Sequence, residues 1–294
     1  MCPLWIIASA HSGSDEHDIA ESVLDDGLRF GRLWEFQTYL DLECERRIFR
    51  GDFAGARERL GRLADFAERY RHDHAQAALQ ALGAYLHLER RELPESLAAI
   101  EQYYRDHGEP SFQIQALGTA AKIRCLAGDL AGAEAAIERA GALLARAGRQ
   151  PPFHESRYAS ARLLVDVARI EASGNARGLA RSARRDCKTA VRLAEKVAAR
   201  RPEVWRLAGT LDWLLGRRSA AARWWAKSAA EAERLGMHPE QGRAWFEAAR
   251  RLSEGQGPMQ VGGLDAGACR EAARRLFEGH GLEGDLAALD ALPH

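Results

Sequence analysis

Apolar residues recur along most of this chain with the period of an α-helix. Two clear sets are Leu60, Leu63, Ala64 and Ala67, and Ile137, Ala140, Leu144 and Ala147. Spacings of three and four residues, as in both sets, are typical of a helix that buries one face. Alternating β-branched runs, which would indicate strands, are absent from the sequence, and the helix formers Ala, Leu, Arg and Glu dominate it. The pattern therefore predicts an all-α fold.

A short motif follows two of the predicted helices, as "GDFAGA" from Gly51 and as "GDLAGA" from Gly128. A glycine at the end of a helix can adopt the left-handed conformation that closes it. The aspartate after the glycine can accept hydrogen bonds from the free amides of the next helix. The alanine five positions after the glycine is small enough for two helices to approach closely. Each motif therefore predicts the turn of a helical hairpin.

Related turns recur at intervals of about 40 residues, which is the sequence signature of an α-solenoid. The predicted turn positions are Gly51, Arg91, Gly128, Gly174 and Gly216. A glycine, a small residue five positions later and apolar helix positions together resemble the tetratricopeptide repeat, although the period exceeds the ~34 residues of that family. The resemblance implies a right-handed α-solenoid of about five hairpins, with a concave groove that binds a segment of another protein.

Two C-terminal stretches, "AAEAERLGMHPEQGRAWFEAARRL" and "CREAARRLFEGHGLEGDLAAL", carry a second resemblance. They are similar to the C-terminal helical regions of large bacterial signalling ATPases, which couple an NTPase module to cyclase, kinase or LuxR-type output domains. The similarity covers roughly residues 33–290. It implies a regulatory or sensor arm in bacterial signalling.

The chain divides into four predicted regions. Residues 1–32 form an N-terminal extension that includes the acidic helix "DEHDIAESVLDD", residues 33–252 form the solenoid, residues 253–264 form a flexible linker, and residues 265–294 form capping helices. The linker prediction rests on the stretch "SEGQGPMQVGGL", which is rich in glycine.

Overall composition places few limits on function. The formal net charge is zero, so the whole chain is not attracted to nucleic acid or to an anionic membrane. The five cysteines are far apart and match no disulfide framework or zinc knuckle, which favours a reducing cytoplasm. No apolar run approaches the ~18 residues that a membrane span needs. We therefore expect a cytoplasmic protein.

The sequence lacks the short motifs of the common catalytic sites. It contains no Gly-Lys-Ser or Gly-Lys-Thr of a phosphate-binding loop, no GxSxG, no HExxH and no CxxC. We therefore assign no catalytic residue, no metal ligand and no cofactor, and we do not expect an enzyme.

Two polar clusters are weaker candidates for chemistry. His72 and His74 are two residues apart, so they point to different sides of a helix, and we interpret them, with His87, as surface residues rather than metal ligands. We interpret the carboxylates of "DLECE", at positions 41, 43 and 45, as a solvated helix face rather than an acid–base pair.

A basic stripe is the strongest candidate for a binding surface. Residues 177–201 carry nine Lys or Arg side chains against Asp186 and Glu195, a net charge of +7. The candidate binding residues are Arg181, Arg185, Lys188, Arg192 and Lys196. They are three or four positions apart, and Arg200 continues the series. Such a stripe is either an ordinary solvated helix face or an electrostatic dock for an acidic partner.

Five of the seven tryptophans lie between residues 205 and 245. Most tryptophans fill gaps between packed helices, because each can bury a large area. Trp224 and Trp225 are adjacent, however, and about 100° apart on a helix, so we expect one of them to anchor a partner in the groove.

These observations lead to one main hypothesis and two alternatives. The main hypothesis is a non-enzymatic scaffold or regulatory arm whose partner is an acidic protein or peptide, with self-association through the acidic N-terminal segment as one form and nucleic acid less favoured. The alternatives are a receptor for a peptide or small-molecule effector and an all-helical enzyme whose site has no recognisable motif.

Overall fold

A computed structural model describes residues 26–106, 108–254 and 260–292 of the 294-residue chain. The helices are α1 (Leu33–Arg50), α2 (Phe53–Tyr70), α3 (Asp73–Glu89), α4 (Leu93–Asp106), α5 (Pro110–Leu126), α6 (Leu130–Ala147), α7 (Pro152–Ser173), α8 (Ala176–Ala194), α9 (Arg201–Leu214), α10 (Arg218–Arg234), α11 (His238–Glu254), α12 (Ala266–Gly279) and α13 (Glu283–Asp290). A 3₁₀ turn, Ala198–Arg200, precedes α9. The described residues contain no strand, so the all-α prediction is confirmed.

The residues at the five predicted turn positions all have a positive φ angle, as expected. The φ angles are +81° at Gly51, +65° at Arg91, +81° at Gly128, +62° at Gly174 and +77° at Gly216. These residues join α1 to α2, α3 to α4, α5 to α6, α7 to α8 and α9 to α10. The left-handed conformation reverses the chain in a few residues and explains why four of the five are glycine.

The caps and small residues of the repeated motif also lie as predicted. A carboxylate oxygen of Asp52 accepts a hydrogen bond from the Gly55 amide, and Asp129 accepts one from the Gly132 amide, both at 2.9 Å. The alanine at the close approach of α5 and α6, Ala133, has no exposed surface. The motif therefore sets both the turn and the close contact of each hairpin.

The helices form two layers. Each helix packs on the next one along the chain, and the odd-numbered helices also pack on one another, as α1 on α3, α5 on α7, α7 on α9 and α9 on α11. The even-numbered helices α2 to α10 pack on this inner layer. The first and last helices of the inner layer, α1 and α11, also contact each other.

The C-terminal helices pack on the first two hairpins. Phe277, Leu282 and Leu289 have no exposed surface and belong to the same hydrophobic cluster as Leu40 and Ile48 of α1. The first helices and the last helices of the fold therefore share one core, although more than 200 residues separate them.

Buried ion pairs connect the inner helices. Glu45 of α1 accepts hydrogen bonds from Arg157 of α7 and, at 3.3 Å, from Arg200. Lys122 of α5 lies 2.6 Å from Glu203 of α9. Because buried charges are costly without partners, these pairs fix which inner helices face one another.

A second group of buried ion pairs joins α11 to α3 and to α13. The Arg243 guanidinium contacts Glu89 at the end of α3, Glu240 on its own helix and, at 2.7 Å, Asp285 of α13. Arg91 donates a hydrogen bond to the same Asp285 carboxylate at 3.0 Å. Asp285 therefore holds α13 against the turn between α3 and α4.

The regions predicted outside the solenoid are only partly described. The acidic segment that ends at Asp26 lies almost wholly outside the described residues, as does the middle of the predicted linker, at 255–259. Val261, at the end of that linker, is buried, and it exchanges backbone hydrogen bonds of 2.9 and 3.0 Å with Leu264. In the described part of the chain, no helix is both long enough and apolar enough to cross a membrane.

Candidate functional site

The basic stripe lies on the exposed side of α8. All five candidate cations are exposed: Arg181, Arg185, Lys188, Arg192 and Lys196. Lys196 lies just beyond the end of the helix. On the opposite side, Ala183, Ala190 and Ala194 are buried against the neighbouring helices. Arg185 contacts Asp186 at 3.4 Å, whereas the other four candidates have no carboxylate within ion-pair distance among the described residues. We refer to these five cations as the α8 face.

The α8 face is shorter than the sequence predicts. The helix ends at Ala194, and Arg200, predicted to continue the stripe, is buried beside Glu45. Pro202 explains the break, because proline has no amide to donate and is favoured in the first turn of a new helix. Arg201 is also removed from the face, since it pairs with Glu231 at 3.1 Å.

The two adjacent tryptophans have different environments. Trp225 has 0% exposed surface, and its indole nitrogen donates a hydrogen bond to the backbone oxygen of Arg206 at 3.2 Å. Of the two candidate anchors, Trp225 is therefore not available to a partner, because its ring fills the space between α9 and α10. Trp224 is half-buried, with its ring centre 6.3 Å from that of Trp205, so part of its surface remains accessible.

The interpretation of "DLECE" as a solvated face is also wrong. Glu43 and Glu45 are buried, and Asp41 lies in the wall of a cavity. The reason is that α1 belongs to the inner layer and is covered by α2, α3 and α11. A single sequence does not reveal the arginines that make such burial possible, because Arg157 and Arg200 are far away along the chain.

The three histidines His72, His74 and His87 each make a different local contact. His72 caps α3, since its Nδ1 accepts a hydrogen bond from the Ala75 amide at 3.3 Å, and His87 contacts Glu92 at 2.6 Å. His74 stacks on Trp34, with ring centres 5.0 Å apart. Across the described ranges, no three His, Cys, Asp or Glu side chains are grouped closely enough to hold a metal ion.

A cavity of about 210 Å³ opens between α1, α3, α4, α5 and α7. We refer to it as the aromatic cavity. Its ring-bearing walls include Trp34, Tyr85, Tyr103, Phe112, Phe153 and His154. A cavity of about 150 Å³ is enough for benzene, so this one has room for a single ring with a short substituent.

Phe112 orders the rings around the cavity. Its ring meets those of His74, Tyr103 and His154 edge-on, at centre distances of 5.8, 6.4 and 5.0 Å. Edge-to-face contacts of this kind stabilise aromatic pairs beyond simple burial. The rings therefore support one another, and the cavity is a formed feature of the fold.

The sequence contains one signal for this cavity that helical periodicity alone does not reveal. Trp34, His74, Phe112 and Phe153, none of them predicted as a site residue, all lie within the first turn of an inner helix, α1, α3, α5 and α7 respectively. Because these helices share a layer, their first turns meet at one end of it. An aromatic residue near the start of alternate helices therefore indicates a ring-lined pocket in a solenoid.

Hydrogen bonds fix most of the polar groups in the cavity wall. Gln115 donates to the Tyr85 hydroxyl, and its side-chain oxygen lies 2.6 Å from Nδ1 of His154. Gln37 donates to one carboxyl oxygen of Asp41. The other Asp41 oxygen and the side-chain oxygen of Gln37 are buried and have no hydrogen-bond partner in the described part of the chain.

Burial changes the charge that the wall carries. It raises the pKa of Asp41 well above the ordinary value of 3.8, with a smaller contribution from the negative charge of Glu45. Burial also lowers the pKa of His154, and the neighbouring Arg157 lowers it further. Both effects favour the neutral forms of these side chains.

Comparisons with known proteins add no assignment. No protein-family model matches the chain, and no curated protein matches it significantly. The functional proposals below therefore depend on two structural features, the α8 face and the aromatic cavity.

Proposed function

We propose that this protein is a non-enzymatic interaction scaffold, a regulatory arm of bacterial signalling that holds an acidic segment of a partner protein. The observation that carries this proposal is the α8 face, where four of five exposed cations have no carboxylate within ion-pair distance in the described residues. Such a face attracts acidic segments and repels basic ones. Its charge contrasts with the formal net charge of zero for the whole chain.

The proposed docking site lies on the outer layer and not in a concave groove. Charged side chains of the inner layer are buried in ion pairs, as Glu45 is with Arg157 and Glu203 is with Lys122. A partner would have to break these pairs to reach the inner surface. The exposed side of α8 requires no such rearrangement.

The finer architecture that we propose is a right-handed α-solenoid of about five tetratricopeptide-like hairpins. The support comes from the five left-handed turn residues and from the small buried residues Ala56, Ser96, Ala133 and Ala221 at the close approach of four hairpins. We also propose a cytoplasmic location, because the described cysteines, Cys44, Cys125, Cys187 and Cys269, are all free thiols.

Charge reversal on the α8 face tests the partner class. The full-length Arg185→Glu, Arg192→Glu, Lys196→Glu variant should keep its helix content by circular dichroism, since all three side chains are exposed. It should lose binding to a fluorescent poly-glutamate peptide at low salt. Binding to the unchanged protein should weaken as salt rises, because exposed charges act over only about 8–10 Å near physiological ionic strength.

The matched control is Arg146→Glu, Arg149→Glu, Arg223→Glu, which makes the same change in net charge at exposed sites outside α8. It should bind the peptide as the unchanged protein does. If the α8 variant retains the peptide at low salt, the α8 face is only a solvated surface. Tighter binding to single-stranded DNA or to phosphatidylserine vesicles than to the peptide would overturn the choice of a protein partner.

A second function, a receptor for a small effector, is favoured by the aromatic cavity. A preformed, mostly apolar concavity with a few fixed polar groups is the usual form of a small-molecule site. The cavity is built from α1, α3, α4, α5 and α7, so it does not involve the α8 face. The two functions are therefore compatible in one molecule.

A further inference from the structure

One carboxyl group of the cavity differs from the buried carboxylates elsewhere in the protein. Each of the other buried carboxylates in the described chain lies within 4.0 Å of an Arg or Lys nitrogen. Asp41 has no such partner among the described residues, although one of its oxygens has no contact with solvent. Its hydrogen-bond partner is the neutral amide of Gln37.

The neighbouring charges do not supply the missing cation. Arg157 lies 3.8 Å above the Tyr85 ring, and its charge is matched by Glu45, which also pairs with Arg200. The favoured form of His154 is neutral, because burial lowers its pKa. The acceptors in the wall, on Asp41 and Gln37, therefore remain without a donor.

The rings around Asp41 suit a cation better than an anion. Aromatic faces attract cations through their negative π-systems, most strongly where water is excluded. The first turns of four helices also lie near the cavity, and helix N-termini favour anions, but this effect falls off within one turn. Asp41 lies two turns into α1, beyond that range.

We propose that the aromatic cavity binds a small organic ammonium ion, whose charge pairs with the Asp41 carboxylate and whose apolar body packs among the rings. This inference rests on the effector-receptor function and not on the α8 face. The volume of about 210 Å³ limits the bound group to one ring or a short chain next to the ammonium. Trp34, which is 53% exposed and stacks on His74, lies at the accessible side of the site.

Binding transfers a proton to solvent. Burial raises the pKa of the Asp41 carboxyl. In the molecules whose carboxyl is protonated, binding breaks its O–H bond, the proton leaves to buffer, and the carboxylate pairs with the ammonium. The titratable and charged groups around Asp41 include Cys44 and Glu45 on α1, His74 and Tyr85 on α3, Tyr103 on α4, and His154 and Arg157 on α7. Affinity should therefore rise with pH over the range in which Asp41 ionises.

The experiment uses the full-length protein and three probes of nearly equal shape: benzylammonium, benzyl alcohol and benzoate. Isothermal titration calorimetry in buffers of different ionisation enthalpy reports both affinity and proton release. Benzylammonium should bind about tenfold or more tightly than benzyl alcohol, as expected for a charge-assisted contact with added cation–π attraction. A capped lysine amide, tested in parallel, distinguishes a peptide side chain from a free amine as the natural source of the ammonium.

The Asp41→Asn variant removes the carboxylate and retains the shape of the cavity. It should abolish both the preference for benzylammonium and the proton release, whereas Asp65→Asn, at an exposed position on α2, should change neither. Proton release that persists in Asp41→Asn would mean that a group other than Asp41 loses the proton, and it would overturn the proposal. Preferential binding of benzyl alcohol or benzoate would leave the receptor function standing but exclude the cation, and failure of all four probes would exclude both.

Discussion

Asp166, which lies close to Asp186, makes the stability of the protein depend on pH. Asp166 is buried, and burial together with the nearby charge of Asp186 raises its pKa to about 6. The folded value exceeds the ordinary 3.8, so the folded state binds more protons than the unfolded state between these two values. This group therefore makes the protein more stable as pH falls from 7 towards 4.

Replacing Asp166 with asparagine should remove that contribution. The Asp166→Asn variant should be more stable than the unchanged protein at pH 7, and the difference should shrink as pH falls through about 6. Urea titrations at several pH values measure this difference, and Asp65→Asn serves as an exposed control. If the variant is less stable at pH 7, the contacts of Asp166 with arginine outweigh the cost of its burial.

At the scale of elements, the hairpin turn is the feature that sequence describes best. A left-handed glycine, an aspartate cap and a small residue all act within a few positions of one another, so one short motif contains the complete signal. Gly128, Asp129 and Ala133 all lie as that motif predicts. The end of α8 is harder to place, because it depends on Pro202 and on the distant carboxylate that draws Arg200 inward.

The close contact within the third hairpin has a direct test. Ala133→Trp should lower the free energy of unfolding by roughly 1–3 kcal/mol or more, because Ala133 is completely buried between α5 and α6. Ala131→Trp, two residues earlier on the exposed side of α6, should cost much less. Denaturant titration followed by circular dichroism compares the two, and equal losses would mean that the helices do not meet at Ala133.

At the scale of the whole molecule, the least predictable features are contacts between distant parts of the chain. Glu45 meets Arg157, and Arg243 meets Glu89, across more than 100 residues in each case. Helical periodicity predicts which residues of one helix face inward, but it does not predict which other helix they face. The aromatic cavity and the burial of "DLECE" both depend on such contacts, which explains why the sequence indicated the hairpins and not the site.

Contacts between the two ends of the chain should make them unfold together. Arg243 forms ion pairs with Glu89, Glu240 and Asp285, and so it connects α3, α11 and α13. Removing one member of a buried ion pair leaves uncompensated charge and typically costs about 3–5 kcal/mol. Arg243→Met should therefore destabilise the protein strongly and increase amide hydrogen exchange both around the α3–α4 turn and in α12 and α13.

The control for this prediction is Arg234→Met. Arg234 is exposed and pairs with Glu231 on its own helix at 2.8 Å, and surface pairs of this kind contribute about 1 kcal/mol or less. Its loss should leave exchange at both ends of the chain unchanged. If Arg243→Met increases exchange in α12 and α13 alone, the C-terminal helices are an independent cap. Increased exchange at both ends would instead mean that Arg243 couples the first hairpins to the last helices, and the aromatic cavity, built on α1, α3 and α4, would then depend on the C-terminus as well.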